Sequence, residues 1–278
     1  MELLIEKIEN GSKIILKVKN TIAYMEIEQM KNVFVKTKNV KKFTSLMEEL
    51  KNLPPNIPKI ALIYGEYGLG KTETIQWWAF RNNSVYVRAN QGMSSRWLLS
   101  EIAEEIGEES FWHTQETFAV IENYLKQNPK TIIIDEADYL IEKNTIETLR
   151  DLHDRTGCPM VIVGMGNIDK KLRKYPHLID RIYKSFVFKK YDIQDIKMIF
   201  EELTEIPITK DGIEYLSTRA EQFRKIVKLI NEIENLAQTN GIKELNEHII
   251  RELLNEGQNM CLLYTSPSPR DISGSRMP

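Results

Sequence analysis

Directly behind the apolar run at 60–64 stands Gly65-Glu66-Tyr67-Gly68-Leu69-Gly70-Lys71-Thr72, a stretch of the form G-x-x-x-x-G-K-T. It has physical meaning only between a strand and a helix. There the glycines let the backbone curl until successive N–H groups point inward, and the helix that follows adds the positive end of its dipole. The product is a cradle for phosphate oxygens. Lys71 is expected to reach the outer phosphates of a nucleotide and the Thr72 hydroxyl to ligate Mg²⁺, so ATP and Mg²⁺ are the implied cofactors.

The remaining apolar runs fit a sheet that could carry such a loop. Short stretches rich in Ile and Val recur at 84–88, 131–135 and 160–164, with a fifth at 183–188, and helical patterns fill the intervals. Buried parallel strands joined by helical crossovers have this signature. Apolar residues at helical spacing (Val40, Phe43, Leu46, Met47, Leu50) predict a helix over 40–53, stopped by Pro54 and Pro55. Beyond residue 192 only helices are expected, at 192–203, 211–219, 221–239 and 246–254. The fold class is therefore α/β, a parallel five-stranded sheet flanked by helices, with a small all-helical lid after it. A hairpin is expected ahead of this, with strands at 3–8 and 13–18 around Glu9-Asn10-Gly11-Ser12.

The strand at 131–135 ends in carboxylates, Asp135-Glu136-Ala137-Asp138. In an open α/β sheet the strand C-termini face the ligand crevice. Asp135 suits the Mg²⁺ shell, and Glu136 can accept a proton from a water attacking the γ-phosphate. A small-molecule kinase needs no such second carboxylate, so the pair favours hydrolysis. Asp138 is read as a structural cap or ion-pair partner. Trp77 and Trp78, at helical spacing with Ile75 and Phe80, are read as core, and Cys158 as an inert buried thiol.

Loop, acidic pair, the run Met160–Gly164 with Met165-Gly166-Asn167 behind it, and a helical lid together resemble an AAA+ ATPase. That resemblance implies a sensor role for Asn167 at the γ-phosphate and the attacking water, and a second sensor at Arg224 in Gln222-Phe223-Arg224-Lys225-Ile226. It also implies an arginine finger at Arg181, acting in trans on a neighbouring copy's ATP. More narrowly, Lys38-Asn39-Val40, Leu62-Ile63-Tyr64-Gly65, Asp135–Leu140 and Val163–Asn167 resemble phage and transposon target-DNA activators, the relatives of phage Mu transposition protein B. The resemblance implies an ATP-dependent DNA-binding ATPase that forms a homo-oligomer or filament on double-stranded DNA and assists a DDE transposase. It departs from phage Mu protein B at residues 1–32, which are too short and wrongly patterned for a helix-turn-helix. DNA contacts are then expected from Arg96, behind Ser94 and Ser95 at a helix start, and from Thr114. The basic run Lys170-Lys171-Leu172-Arg173-Lys174 reads as a solvated helix face. The alternative is an AAA+ loader or regulator acting on a protein partner, without a DNA filament.

The net charge of −2 excludes a chain that coats nucleic acid by bulk charge. Two cysteines, Cys158 and Cys261, give no metal or disulfide spacing, and with no leader and no membrane-length apolar run a soluble, cytoplasmic protein is expected. The domain division is 1–32 as an extension, 33–190 as the nucleotide-binding domain and 191–260 as the lid. Met25 and Met30 offer alternative starts. The stretch 261–278 resembles one reading frame of a transposase-based sequencing adapter and is read as not native.

Overall fold

A computed structural model describes residues 34–254 in full, and the backbone of three strands before them. The expectation about residues 261–278 lies outside the described residues. The N-terminal strands β1 (Glu2–Ile8), β2 (Gly11–Val18) and β3 (Thr21–Ile27) form an antiparallel meander, Leu4 opposite Ile15 and Ile14 opposite Met25. The expected hairpin is present. Gly11 and Ser12, expected in its turn, belong to β2 instead, and a third strand extends it.

The chain divides into two compact units. One takes Lys36–Asp192 with Ala220–Lys225 and holds a five-stranded parallel sheet. In chain order it contains α1 (Lys38–Lys51), β4 (Ile60–Gly65), α2 (Lys71–Arg81), β5 (Val85–Arg88), α3 (Ser95–Ile106), α4 (Thr114–Gln127) and β6 (Ile132–Asp135). Then follow α5 (Asp138–Glu142), α6 (Glu147–Thr156), β7 (Met160–Met165), α7 (Ile168–Leu172), α8 (Pro176–Ile179) and β8 (Ile182–Val187). The strands lie in the order β5-β6-β7-β4-β8. The inner strands β6 and β7 are almost wholly buried, as near-continuous Ile/Val runs require when helices cover both faces. Strand β8 pairs only with β4 and leaves most of its side chains exposed, which explains its mixed sequence.

Helix α1 starts earlier than its apolar stripe because Asn39 ties it down: Nδ2 donates to the Lys189 carbonyl at 2.8 Å, and the Lys189 N–H donates back to Oδ1 at 3.2 Å. Its buried stripe is the expected one, Val40, Phe43, Leu46, Met47 and Leu50. Trp78 packs edge-on against Phe43, with ring centroids 6.1 Å apart. Phe80 does not join them. It is 91% exposed, because the buried face of α2 runs through Thr74, Ile75, Trp78 and Ala79 and a residue two places beyond Trp78 falls on the other side. The single-turn helices α5 and α7 fall where Asp138 and the basic run at 170–174 were read as helical, whereas α8 was not expected; all three are too short to show a periodic stripe.

The second unit contains α9 (Ile193–Leu203), α10 (Lys210–Arg219), most of α11 (Phe223–Thr239) and a helix over 247–254. Ile196, Ile199, Phe200, Ile213, Leu216, Ile230 and Ile233 are among its buried apolar residues. The same unit takes in the N-terminal meander, and a parallel bridge joins Ile208 to Leu245. No helix among the described residues is long and apolar enough to cross a membrane.

Candidate active site

The curled loop forms where β4 meets α2. Gly68 and Gly70 take φ of +73° and +74°, values that a side chain would strain. A Cβ on Gly65 would lie 2.7 Å from the Phe188 carbonyl, so glycine is required there by close approach of two chains. Between them Leu69 is buried and anchors the curl, whereas Glu66 and Tyr67 are exposed. Lys71 opens α2 and folds back over the loop: Nζ donates to the Gly65 and Glu66 carbonyls at 2.8 and 2.7 Å. Burial pulls its pKa below the ordinary value, against the charges of Asp135, Asp138 and Glu73.

At the next residue of the helix, Thr72 Oγ1 donates to Asp135 Oδ2 at 2.8 Å. This bond spans strand β7, which separates β6 from β4, and brings the acidic strand end to the loop. Tyr86, from β5, donates to the same oxygen at 3.2 Å and takes a bond from Gln76 of α2. Burial next to Asp135 holds the Tyr86 phenol protonated. A hydroxyl and a buried carboxylate in contact at the start of a helix are a hard-oxygen donor set, the kind that binds Mg²⁺ beside substrate phosphates. Thr72 and Asp135 therefore fit the metal expected from the sequence.

Glu136 turns out of the strand with φ of +54°. The Asp135 carboxylate holds that turn by accepting the Glu136 N–H at 2.9 Å, and the Ala137 N–H is bound to the Val163 carbonyl. The Glu136 side chain is not free: Arg88 Nη2 donates to Oε1 at 2.6 Å. That bond raises the Arg88 pKa. Arg88 ends β5 opposite Asp135, so strand register alone puts the two at the same crevice mouth. Sequence reading placed Arg88 only at the end of the apolar run 84–88; that shared strand end was the signal for its neighbour.

Asn167 lies exposed beyond the end of β7, whose Met165 pairs with Gly65. A Cβ on the intervening Gly166 would sit 3.7 Å from the Gly65 carbonyl carbon, so this segment runs alongside the loop. Arg224 is also near: its N–H donates to the Gly68 carbonyl at 3.3 Å, and the Gln222 side chain lies over Gly68. Tyr191, which no motif flagged, donates its hydroxyl to the Leu69 carbonyl at 2.8 Å. Asp138 is structural, as expected. Its carboxylate takes the Met165 N–H at 2.7 Å and an ion pair from Lys171 at 2.7 Å, so Lys171 is not part of a wholly solvated basic face.

Arg181 is not at this loop. It precedes β8, whose Ile182 lies opposite Ile60 at the start of β4, about 17 Å in strand rise from Gly65. Its Nε donates to both oxygens of Asp154, at 2.7 and 2.9 Å. Arg96, the second residue of α3, follows a helix start capped by the Ser94 hydroxyl, and its guanidinium lies 4.2 Å from the ring centre of Trp112. Trp112 is 77% exposed and stands two residues before Thr114, the first residue of α4. Arg96 thus rests on an indole, passed over in the sequence, that belongs to the segment leading into Thr114.

Residues 58–172 match the family described as an AAA domain. The chain carries an AAA domain. That domain spans the loop, the acidic pair and the Asn167 segment. Over 150 residues the chain is 29% identical to a Mu-like prophage DNA transposition protein B of Haemophilus influenzae, covering 50% of this chain and 52% of that protein. Over 243 residues it is 23% identical to an ORC1-type DNA replication protein of Methanocorpusculum labreanum, covering 72% of this chain and 56% of that one. The chain spans little more than half the length of either relative. Among solved structures, the ORC2 protein of Aeropyrum pernix in its ADPNP–ADP complexes superposes with a TM-score of 0.64 at 16% identity, over 85% of this chain and 73% of that one. The AAA domain therefore sits on the expected α/β fold, in a chain related in sequence to a phage transposition protein.

Proposed function

We propose that this chain is an ATP-dependent DNA-binding ATPase that assembles on double-stranded DNA and assists a DDE transposase. The observation that carries the reading is the Thr72–Asp135 bond at 2.8 Å, with Glu136 next in sequence. It supports reading Thr72 and Asp135 as a metal-binding pair, and Glu136 as the candidate base, beside a phosphate loop. Lys71 and the loop amides bind the phosphates, Asn167 and Arg224 approach the terminal one, and Glu136 takes the proton of the attacking water. Mg²⁺ held by Thr72 and Asp135 would neutralise charge on the phosphate oxygens. Arg181, out of reach of its own loop, serves a neighbouring copy. In this reading 33–190 is the nucleotide-binding domain, 191–260 its lid, and the protein is cytoplasmic.

The DNA half of the reading is supported by the relative named as a DNA transposition protein and by two helix starts, one with the exposed Arg96 and one with the half-buried Thr114. Contacts of that kind go to the backbone, so binding should fall steeply with salt and show little sequence preference. Electron microscopy of the protein with duplex DNA and a non-hydrolysable ATP analogue should show filaments, and Lys71→Ala should show none. Nucleotide-competent protein that forms no filament at low salt would end the transposition reading. A second reading is a loader or regulator acting on a protein partner, without a DNA filament. It predicts ATP turnover that DNA leaves unchanged.

A further inference from the structure

Carbonyl oxygens along the curled loop are met by donors. Those of Gly65 and Glu66 rest on the Lys71 ammonium. The Gly68 oxygen accepts the Arg224 N–H at 3.3 Å, and the Leu69 oxygen accepts the Tyr191 hydroxyl at 2.8 Å. The Gly70 oxygen accepts both the N–H and the hydroxyl of Thr74, at 3.0 and 2.7 Å. In a trans peptide the N–H of the next residue points away from the C=O. Each donor on a carbonyl therefore fixes an amide on the opposite side, and a run of amides facing one way is what binds a phosphate.

These holds differ in kind. The Gly70 oxygen belongs to the first turn of α2 and is kept by the helix. Lys71 is the group that must leave its carbonyls to meet a phosphate. Between them lies the Leu69–Gly70 peptide, the plane most able to turn over. Such a flip needs opposite rotations about ψ of Leu69 and φ of Gly70, and glycine accepts either sign of φ. Gly70 stands at φ of +74°. Turned over, this plane would aim a carbonyl oxygen at the phosphate oxygens and withdraw the Gly70 N–H.

Tyr191 is built to prevent that. The Phe188 N–H donates to the Tyr64 carbonyl at 2.7 Å, so the chain leaving β8 runs beside the start of the loop. Tyr191 is 7% exposed, its N–H donates to the Glu221 carbonyl at 3.2 Å, and its ring lies 5.9 Å from that of Phe223. A Cβ on Gly70 would come within 3.2 Å of the Tyr191 oxygen, so the hydroxyl lies against both residues of the plane it holds. We propose that Tyr191 is a positioning residue of the phosphate site: its hydroxyl keeps the Leu69 oxygen turned out and the Gly70 N–H turned into the cradle. The proposal rests on the reading that the loop binds ATP.

The test is Tyr191→Phe, which keeps the ring against Phe223 and removes only the donor. Calorimetry measures ATP and inorganic tripolyphosphate, which has no base or sugar, and thermal unfolding without nucleotide checks that the fold is kept. Both ligands should bind about tenfold more weakly, the effect of one lost hydrogen bond. KM for ATP should rise by a similar factor with kcat unchanged, because the bond serves bound substrate and transition state alike. 4-Aminophenylalanine at position 191, which restores a donor on the same ring, should recover both affinities. Unchanged affinities in Tyr191→Phe overturn the proposal, whatever the unfolding temperature does. So does a loss confined to ATP, which would put the hydroxyl at the base or sugar, or a fall in kcat with KM unchanged. A folded 4-aminophenylalanine variant that binds both ligands weakly overturns it as well. A wild type that binds neither ligand removes the phosphate-loop reading itself, a separate outcome.

Discussion

Glu136 is held twice over, by a backbone turn with φ of +54° and by the Arg88 guanidinium at 2.6 Å. The left-handed turn costs a non-glycine residue roughly 1 kcal/mol, and the Asp135 carboxylate that accepts the Glu136 N–H offsets it. The turn aims the side chain out of the strand end, and the ion pair fixes where it rests. A carboxylate that accepts an arginine N–H must release that bond before it can take a proton from water. Both members are well exposed, so the pair is worth only about 0.2–1 kcal/mol. Arg88→Ala should accordingly raise basal phosphate release about two- to fivefold at saturating ATP; a drop would mean that Arg88 positions Glu136 for work. Glu136→Gln should keep ATP affinity and lower turnover by about 10²–10⁴. Retained turnover would falsify Glu136 as the base.

Two junctions between elements decide whether the crevice stays in shape. At the first, β7 meets α5 and α7 at Gly164. A Cβ there would collide with Ile168 and lie 2.6 Å from the Asp138 carboxylate, which holds both the Met165 N–H and Lys171. Gly164→Ala should cost about 1–3 kcal/mol, read as a lower urea midpoint with unchanged slope. At the second, His153 near the end of α6 bridges the Cys158 carbonyl through Nδ1 at 2.9 Å and the Lys59 N–H through Nε2 at 3.3 Å. Nε2 must be an acceptor, so the ring is neutral, and burial lowers its pKa below 6.5. The unfolded chain then takes up a proton that the folded one refuses. Stability is complete above pH 6.5 and declines as pH falls below that value toward the folded pKa. Urea midpoints of wild type and His153→Gln should converge on acidification.

Linear patterns carried the loop, the acidic pair, the five strands and the lid helices, because each depends on residues close in sequence. Pairings set by strand register were not legible in that way. Arg88 and Asp135 were each placed at a strand end, but that β5 lies beside β6 is a fact of topology. Phe80 went wrong for a local reason: helical spacing identifies a stripe but not where it stops. Trp112 lies outside any periodic segment, so nothing but folding could set it against Arg96.

At the scale of the molecule, parallel pairing of β4 with β8 puts Arg181 at the opposite end of the sheet from the loop. No side-chain movement spans about 17 Å. If Arg181 acts, it acts on another copy, and the contact is head to tail. Mixing Lys71→Ala, which supplies the arginine but no bound nucleotide, with Arg181→Ala, which does the reverse, should recover turnover that neither variant has alone. Co-assembly without recovery would leave Arg181 a structural partner of Asp154.

Lys71 also has a consequence for how nucleotide arrives. Its ammonium already rests on two carbonyl oxygens, so an incoming phosphate swaps partners with the loop rather than meeting a bare cation. Entry becomes a replacement reaction, slower than simple capture and less easily fooled by stray anions.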